Sequence, residues 1–324
     1  YSDGPEPSIW KTDGTTAGTS FVKKLSTGST VSLGAFSTGS AVVFFVKNGN
    51  DIECWKTDGT SAGTTLFKVI TTSGSSTYRF RGVQFGNKYI FAGQTATSGE
   101  EPWVCDGTAA GTFQLKDIYP GLTSSVSWTG GNISGYDKRC NFVVYNGKVC
   151  FIARNAASFQ IWKTDGTTAG TSILVNYTGT NITIDDFSSR LAVANNYLYF
   201  FADETNYGIE LHYTDGTVAN TFTLNLVSGS GGADVPNVEE RILASNSTTV
   251  FFSYDTWSNL GACNATTAVD LGIPPPNYGD PWVSLGGYMY ADMNNGTGLL
   301  KTNGTLAGTS ILNAGGVLKH AEYL

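Results

Sequence analysis

The stretch Trp10-Lys11-Thr12-Asp13-Gly14-Thr15-Thr16-Ala17-Gly18-Thr19 decides how the chain is read, because it comes back. It recurs nearly letter for letter at 55–64 and 162–171, and with small changes at 103–112. Looser copies stand at 212–221 and at 300–309, where Asn303 replaces the aspartate, and a faint one at 261–270 centres on Asn264. Successive copies lie 39 to 59 residues apart. Self-similarity at such a period marks a repeat architecture, one supersecondary unit stacked or set around an axis.

Outward from each copy, apolar alternation and turn residues mark four short strands. Around Trp103 they run 81–85, 88–93, 101–106 and 112–118, separated by a Gly86-Asn87 turn, a polar loop and the motif itself. First hairpins elsewhere turn at Asn146-Gly147, Asn195-Asn196, Asn246-Ser247 and Gly286-Gly287, pairs expected to supply positive φ. Second strands such as Val149 to Ala153 are apolar throughout, the pattern of strands buried on both faces. Six units follow, at about 32–70, 78–118, 141–177, 190–227, 241–273 and 281–314. A seventh is split between the chain ends, 317–324 and 1–25. Four-stranded antiparallel units arranged radially are propeller blades. The expectation is a single all-β domain over 1–324, a seven-bladed β-propeller with one blade built from both chain ends. Whether that blade closes within one chain or between chains is left open.

Composition agrees. Of 324 residues, 40 are glycine, 13% are aromatic and only 14% are charged, a profile of short strands and tight turns. A net charge of −7 with no basic cluster excludes a nucleic-acid surface. No apolar run is long enough for a helical membrane span. The cysteines Cys54, Cys105, Cys140, Cys150 and Cys263 lack zinc-ligand spacing, and their odd number leaves one unpaired within a single chain. A two-residue turn at Asn146-Gly147 would set Cys150 opposite Val143 and away from Cys140.

The recurring Asp13, Asp58, Asp106, Asp165 and Asp215 are expected to be turn residues. Identical residues spread over separate repeats do not converge on one site, and an Asp before a Gly fastens a turn by accepting backbone N–H groups. Trp10, Trp55, Trp103 and Trp162 are expected to pack between blades. The motif, with Glu53, Glu101 and Glu210 two residues before the Trp position, resembles the Glu-Leu-Trp-x-x-Asp-Gly-Thr repeat of secreted, mainly bacterial, surface proteins. The resemblance covers nearly the whole chain; it implies an extracellular propeller and carries no catalytic residue. Departures at His212, Gly261 and Leu300 mark degenerate blades.

Sites for chemistry are sparse. Asn132, Asn176, Asn181, Asn246, Asn264, Asn295 and Asn303 stand in Asn-x-Ser/Thr sequons, acceptors for glycan in a secreted protein, though a chain this rich in Asn, Ser and Thr produces about five by chance. The only histidines are His212 and His320, and no nucleophile–base pattern accompanies them. Acidic pairs at Asp185-Asp186, Asp203-Glu204 and Glu239-Glu240 could offer oxygen ligands to calcium but lack loop spacing, so no cofactor is expected. The first strands carry few acids, against a glycoside hydrolase. The sequence thus points to a non-catalytic extracellular or cell-surface protein, used for adhesion or as a repeating filament subunit. Its partners would be copies of itself. A lectin-like propeller stacking glycans on residues such as Trp128 or Trp257 is the alternative.

Overall fold

The computed structural model describes residues 8–25, 30–71, 82–126, 141–184, 190–205, 208–224, 226, 241–254, 259–264, 267–276, 282–293 and 298–312. Asn132, Asn295, Cys140, Trp128, Trp257, His320, two of the acidic pairs (185–186 and 239–240) and the segment 317–324 lie outside them. Every regular element described is a strand, and the strands form seven antiparallel sheets in chain order.

The first sheet holds β1 (Ser8–Lys11) and β2 (Ser20–Lys24). The second holds β3 (Thr30–Ser37), β4 (Val42–Asn48), β5 (Asp51–Thr57) and β6 (Thr65–Thr71). The third runs through β7 (Gly82–Phe85), β8 (Lys88–Gly93), β9 (Glu101–Cys105) and β10 (Phe113–Gln114). The fourth runs through β11 (Val143–Tyr145), β12 (Lys148–Arg154), β13 (Phe159–Thr164) and β14 (Ser172–Val175). In the fifth, β16 (Ala192–Ala194), β17 (Tyr197–Glu204), β18 (Gly208–Thr214) and β19 (Thr221–Leu224) gain a short extra strand, β15 (Ile182–Thr183), paired with the end of β17. The sixth comprises β20 (Arg241–Ser245), β21 (Val250–Tyr254), β22 (Asn259–Asn264) and β23 (Thr267–Asp270). The seventh comprises β24 (Trp282–Leu285), β25 (Tyr288–Met293), β26 (Gly298–Thr302) and β27 (Ser310–Leu312).

Each sheet is a meander because a short turn joins every consecutive pair. Asn146-Gly147, Asn195-Asn196 and Gly286-Gly287 all have positive φ, and Val143 pairs with Cys150 as the turn length requires. The Asn246-Ser247 expectation is corrected. Ser245 pairs with Val250 across a longer loop, and Asn246 lacks positive φ; its Oδ1 instead accepts the N–H groups of Thr248 and Thr249.

The core lies between sheets, since a lone meander has two faces to cover. On β21, Phe251 packs toward Met289 and Leu300 of the seventh sheet, while its neighbour Phe252 packs toward Tyr199 and Leu211 of the fifth. On β17, Leu198 and Phe200 join a cluster with Phe151 and Trp162, and Tyr199 and Phe201 face the other way. Alternation with apolar residues on both faces is what a strand sandwiched between two sheets demands. Similar clusters join the first sheet to the second and the second to the third. The first strands β7, β11, β16 and β20 approach one another in succession, placing them at the centre. The chain is a β-propeller whose blades are these sheets. Among the described residues no helix is long and apolar enough to cross a membrane.

Candidate functional site

The repeated motif builds the same turn six times. In the first copy, Asp13 Oδ1 accepts from Thr15 N–H at 2.9 Å and from the Thr15 hydroxyl at 2.7 Å. The Thr15 oxygen accepts from Gly18 N–H at 2.9 Å, and the Thr19 hydroxyl closes the loop onto Thr15 O at 2.7 Å. Asp58, Asp106, Asp165 and Asp215 repeat the first pair of bonds, and so does Asn303 through its amide oxygen. The bonds from the threonine two residues on, its hydroxyl first, hold the carboxyls of Asp13, Asp58, Asp165 and Asp215 below the usual carboxylate range. These aspartates sit one per sheet and do not converge. Among the described residues no group of three or more His, Cys, Asp or Glu side chains is placed to hold a metal.

The two motif glycines serve different ends. The one after the aspartate has positive φ, from 81° at Gly166 to 100° at Gly216. The second is needed for space: a Cβ on Gly170 would lie 2.0 Å from Asp165 Oδ1. In the fifth sheet Asn220 takes that place, and its Nδ2 donates to Asp215 Oδ2 at 2.7 Å while the bonds to Thr217 survive. Gly170→Ala is therefore expected to cost about 1–3 kcal/mol, and Gly170→Asn distinctly less, in thermal unfolding. Equal losses would show that Asn220 is tolerated for another reason.

Asn264 is a further correction. It pairs with Thr267 at the end of a short hairpin, so the sixth sheet has replaced the motif turn outright. Trp55, Trp103 and Trp162 are buried, but Trp10 is 50% exposed and meets only Phe21 edge-on at 5.7 Å among described aromatic contacts. His212, in the Trp position, is fully buried and stacked on Phe200. Its Nδ1 donates to Glu210 O at 2.9 Å, and Nε2 lies 3.7 Å from Glu204 Oε2. Burial depresses its pKa, so the ring is held neutral.

Two devices escaped the sequence reading. In three sheets the Glu or Gln before the Trp position clamps the chain leaving the fourth strand: Glu101 Oε2 accepts from Ile118 N–H at 2.9 Å, Gln160 Oε1 from Tyr177 N–H at 3.0 Å, and Glu210 Oε2 from Leu226 N–H at 2.9 Å, whereas Glu53 accepts from Asn48 Nδ2 and Trp55 Nε1. The constant separation of about 16 to 17 residues was the available signal. A lysine four residues past the last motif threonine straps one sheet to the next. Lys23 donates to Thr64 O at 2.6 Å, Lys68 donates to Thr112 O, and Lys116 lies over the Trp162 ring.

Of the sequon asparagines described, Asn176, Asn181, Asn264 and Asn303 are exposed and Asn246 partly so. Oδ1 of Asn176, Asn246 and Asn303 each accepts the N–H of its own sequon threonine. Cys54, Cys105, Cys150 and Cys263 are buried and form no disulfide, and burial pushes Cys150 and Cys263 up to about 12. A cleft of about 560 Å³ opens between the first and second sheets, lined by Ile9, Lys11, Val22, Ala35, Phe44 and Asp58 among others.

No family model matches the chain, and no curated protein is significantly similar in sequence. Solved structures are similar in fold. A prolyl endopeptidase matches with a TM-score of 0.53 at 10% identity, over 95% of this chain and 46% of that one. Oligopeptidase B from Leishmania major matches with 0.53 at 10%, over 94% and 45%. The SapL1 lectin, solved with alpha methyl fucoside, gives 0.43 at 14%, over 86% and 94%. At these identities the likeness is one of fold, and the chain spans less than half the length of either peptidase.

Proposed function

We propose that the chain is a non-catalytic propeller acting outside the cell or on its surface, as a rigid disc for adhesion or a repeating subunit of a filament. The observation that carries this reading is where the recurring polar residues go. Each motif aspartate is engaged by its own turn on a separate sheet, and Glu101, Gln160 and Glu210 are engaged by backbone N–H groups. The repeat is thus chemistry directed inward, at holding the disc together. The resemblance of that repeat to secreted surface proteins, and the exposed sequons, support the location.

A carbohydrate-binding reading draws on the exposed Trp10, an amphipathic ring of the kind that stacks on sugars. One experiment separates the two. Purified chain is screened against a glycan array and against panels of glycoside, ester and peptide substrates, and neither binding nor turnover is expected. Saturable turnover, or glycan binding lost in Trp10→Ala, would overturn the non-catalytic scaffold.

A further inference from the structure

The copy of the motif at 300–309 departs from the others at its turn: Asn303 stands where they have Asp13, Asp58, Asp106, Asp165 and Asp215. The turn gains nothing from the change. An ionised carboxylate is the stronger acceptor, and the N–H of the threonine two residues on lies 3.1 Å from Asn303 Oδ1, against 2.9–3.0 Å in the aspartate copies. The second carboxylate oxygen also has uses that an amide nitrogen does not serve: Asp165 Oδ2 accepts from Lys148 Nζ at 3.3 Å, and Asp215 Oδ2 from Asn220 Nδ2 at 2.7 Å. In Asn303 that place is taken by Nδ2, which no described hydrogen bond engages, on an exposed residue. What the amide does supply is a sequon, Asn303-Gly304-Thr305.

A second sequon lies against the first. Asn246, in the loop from β20 to β21, accepts at Oδ1 from Thr248 N–H and Thr249 N–H, both at 2.9 Å, and from the Thr248 hydroxyl at 3.2 Å. Its Nδ2 takes part in no described bond and is not among the buried polar atoms that lack a partner, so it reaches solvent. A Cβ on Gly304 would stand 2.8 Å from Thr249 Cγ2, so this loop of the sixth sheet touches the Asn303 turn of the seventh. The connections from first to second strand and from third to fourth leave an antiparallel meander at the same end, which sets both asparagines on one face of the disc. Four asparagines outside sequons are engaged the other way: Asn48, Asn141, Asn195 and Asn220 each donate from Nδ2.

We propose that Asn246 and Asn303 carry N-linked glycans, set side by side on that face where the sixth and seventh sheets meet. This rests on the extracellular or surface reading above, because such sugars are attached to exported chains. The donor is a sugar carried on a polyprenyl phosphate or diphosphate. Its anomeric carbon leaves the phosphate oxygen and bonds to Nδ2, which releases one of its two protons, and the polyprenyl phosphate departs. The glycosylated amide keeps its carbonyl oxygen, so every bond described at the two turns survives the modification.

Peptide mapping by electron-transfer mass spectrometry, on the full chain isolated from its native source, tests this. Sugar is expected on Asn246 and on Asn303 in most copies of each peptide. Asn246→Asp and Asn303→Asp each remove one sequon while keeping the oxygen acceptor, and the second restores the residue of the other motif copies. Expressed in the same source, each variant is expected to fold and to lose one glycan from its intact mass, and the double variant to lose both. Unmodified peptide as the main form at either position overturns the proposal, as does sugar carried by Thr248 or Thr305 instead. Location is read separately, by adding protease to intact cells. A chain protected inside the cell would sink the surface reading, whereas bare asparagines on a chain digested from outside would sink the glycans alone.

Discussion

Trp162→Ala is expected to lower the free energy of unfolding by about 3–5 kcal/mol, the range for deleting a large buried aromatic side chain. Trp162 belongs to the cluster that ties the third, fourth and fifth sheets together, and Lys116 of the preceding sheet lies over its ring. Removing the indole opens a cavity between sheets that neither can fill without shifting its strands. Trp55 and Trp103, in the corresponding positions, should lose comparable amounts. Trp10→Ala is expected to cost less than about 1 kcal/mol in the monomer, because half of its surface already faces solvent. Urea unfolding of the four single variants measures the contrast. Equal losses at all four positions would mean that Trp10 is covered in solution by something that leaves it bare here.

That contrast shows what a repeat can and cannot reveal. The turn was legible because its geometry leaves little choice: positive φ after the aspartate, no room for a Cβ at the second glycine, and threonine hydroxyls for the remaining bonds. Copies satisfying one set of bonds keep nearly one sequence, with Asn220 and Asn303 as substitutes that preserve the bonds to the turn threonine. Six of the seven blades followed, since each turn joins third and fourth strands, and the sixth sheet keeps the spacing without the turn. Trp10 could not be read the same way, because burial depends on the neighbouring sheet and not on the motif. Asn264 misled for a related reason. Its spacing imitates the motif, but without the two glycines the chain takes a shorter hairpin, and the asparagine ends a strand. Asn246 reached its turn by side-chain bonding and not by positive φ, two solutions that composition alone does not separate. The glutamate clamps were hidden because the partner is a backbone N–H some 17 residues away, a group with no side-chain signature.

The clamp at Glu101 sets the second large effect. Its carboxyl is fully buried and accepts from Ile118 N–H, from Tyr119 N–H at 3.3 Å and from the Ser125 hydroxyl at 2.6 Å. Burial outweighs those bonds and raises its pKa to about 7. An unfolded glutamate titrates near 4.3, so between roughly pH 4.3 and 7 the folded chain binds more protons than the unfolded one, and stability falls as pH rises through that window. The loss attributable to this group approaches about 3 kcal/mol above pH 7. Glu101→Gln removes the titration while keeping an oxygen for Ile118, as Gln160 already does for Tyr177 in the next sheet. The stability of Glu101→Gln relative to the native chain should therefore climb by about 3 kcal/mol from pH 5 to pH 8. Glu101→Leu instead leaves those donors without their acceptor and should cost about 3–5 kcal/mol at pH 5, where the native carboxyl is protonated. Chemical denaturation of the three proteins at pH 5, 6.5 and 8 reads both effects. A Gln-minus-native difference that stays flat across that range would mean the carboxylate is stabilised by its three donors as well when charged as when protonated.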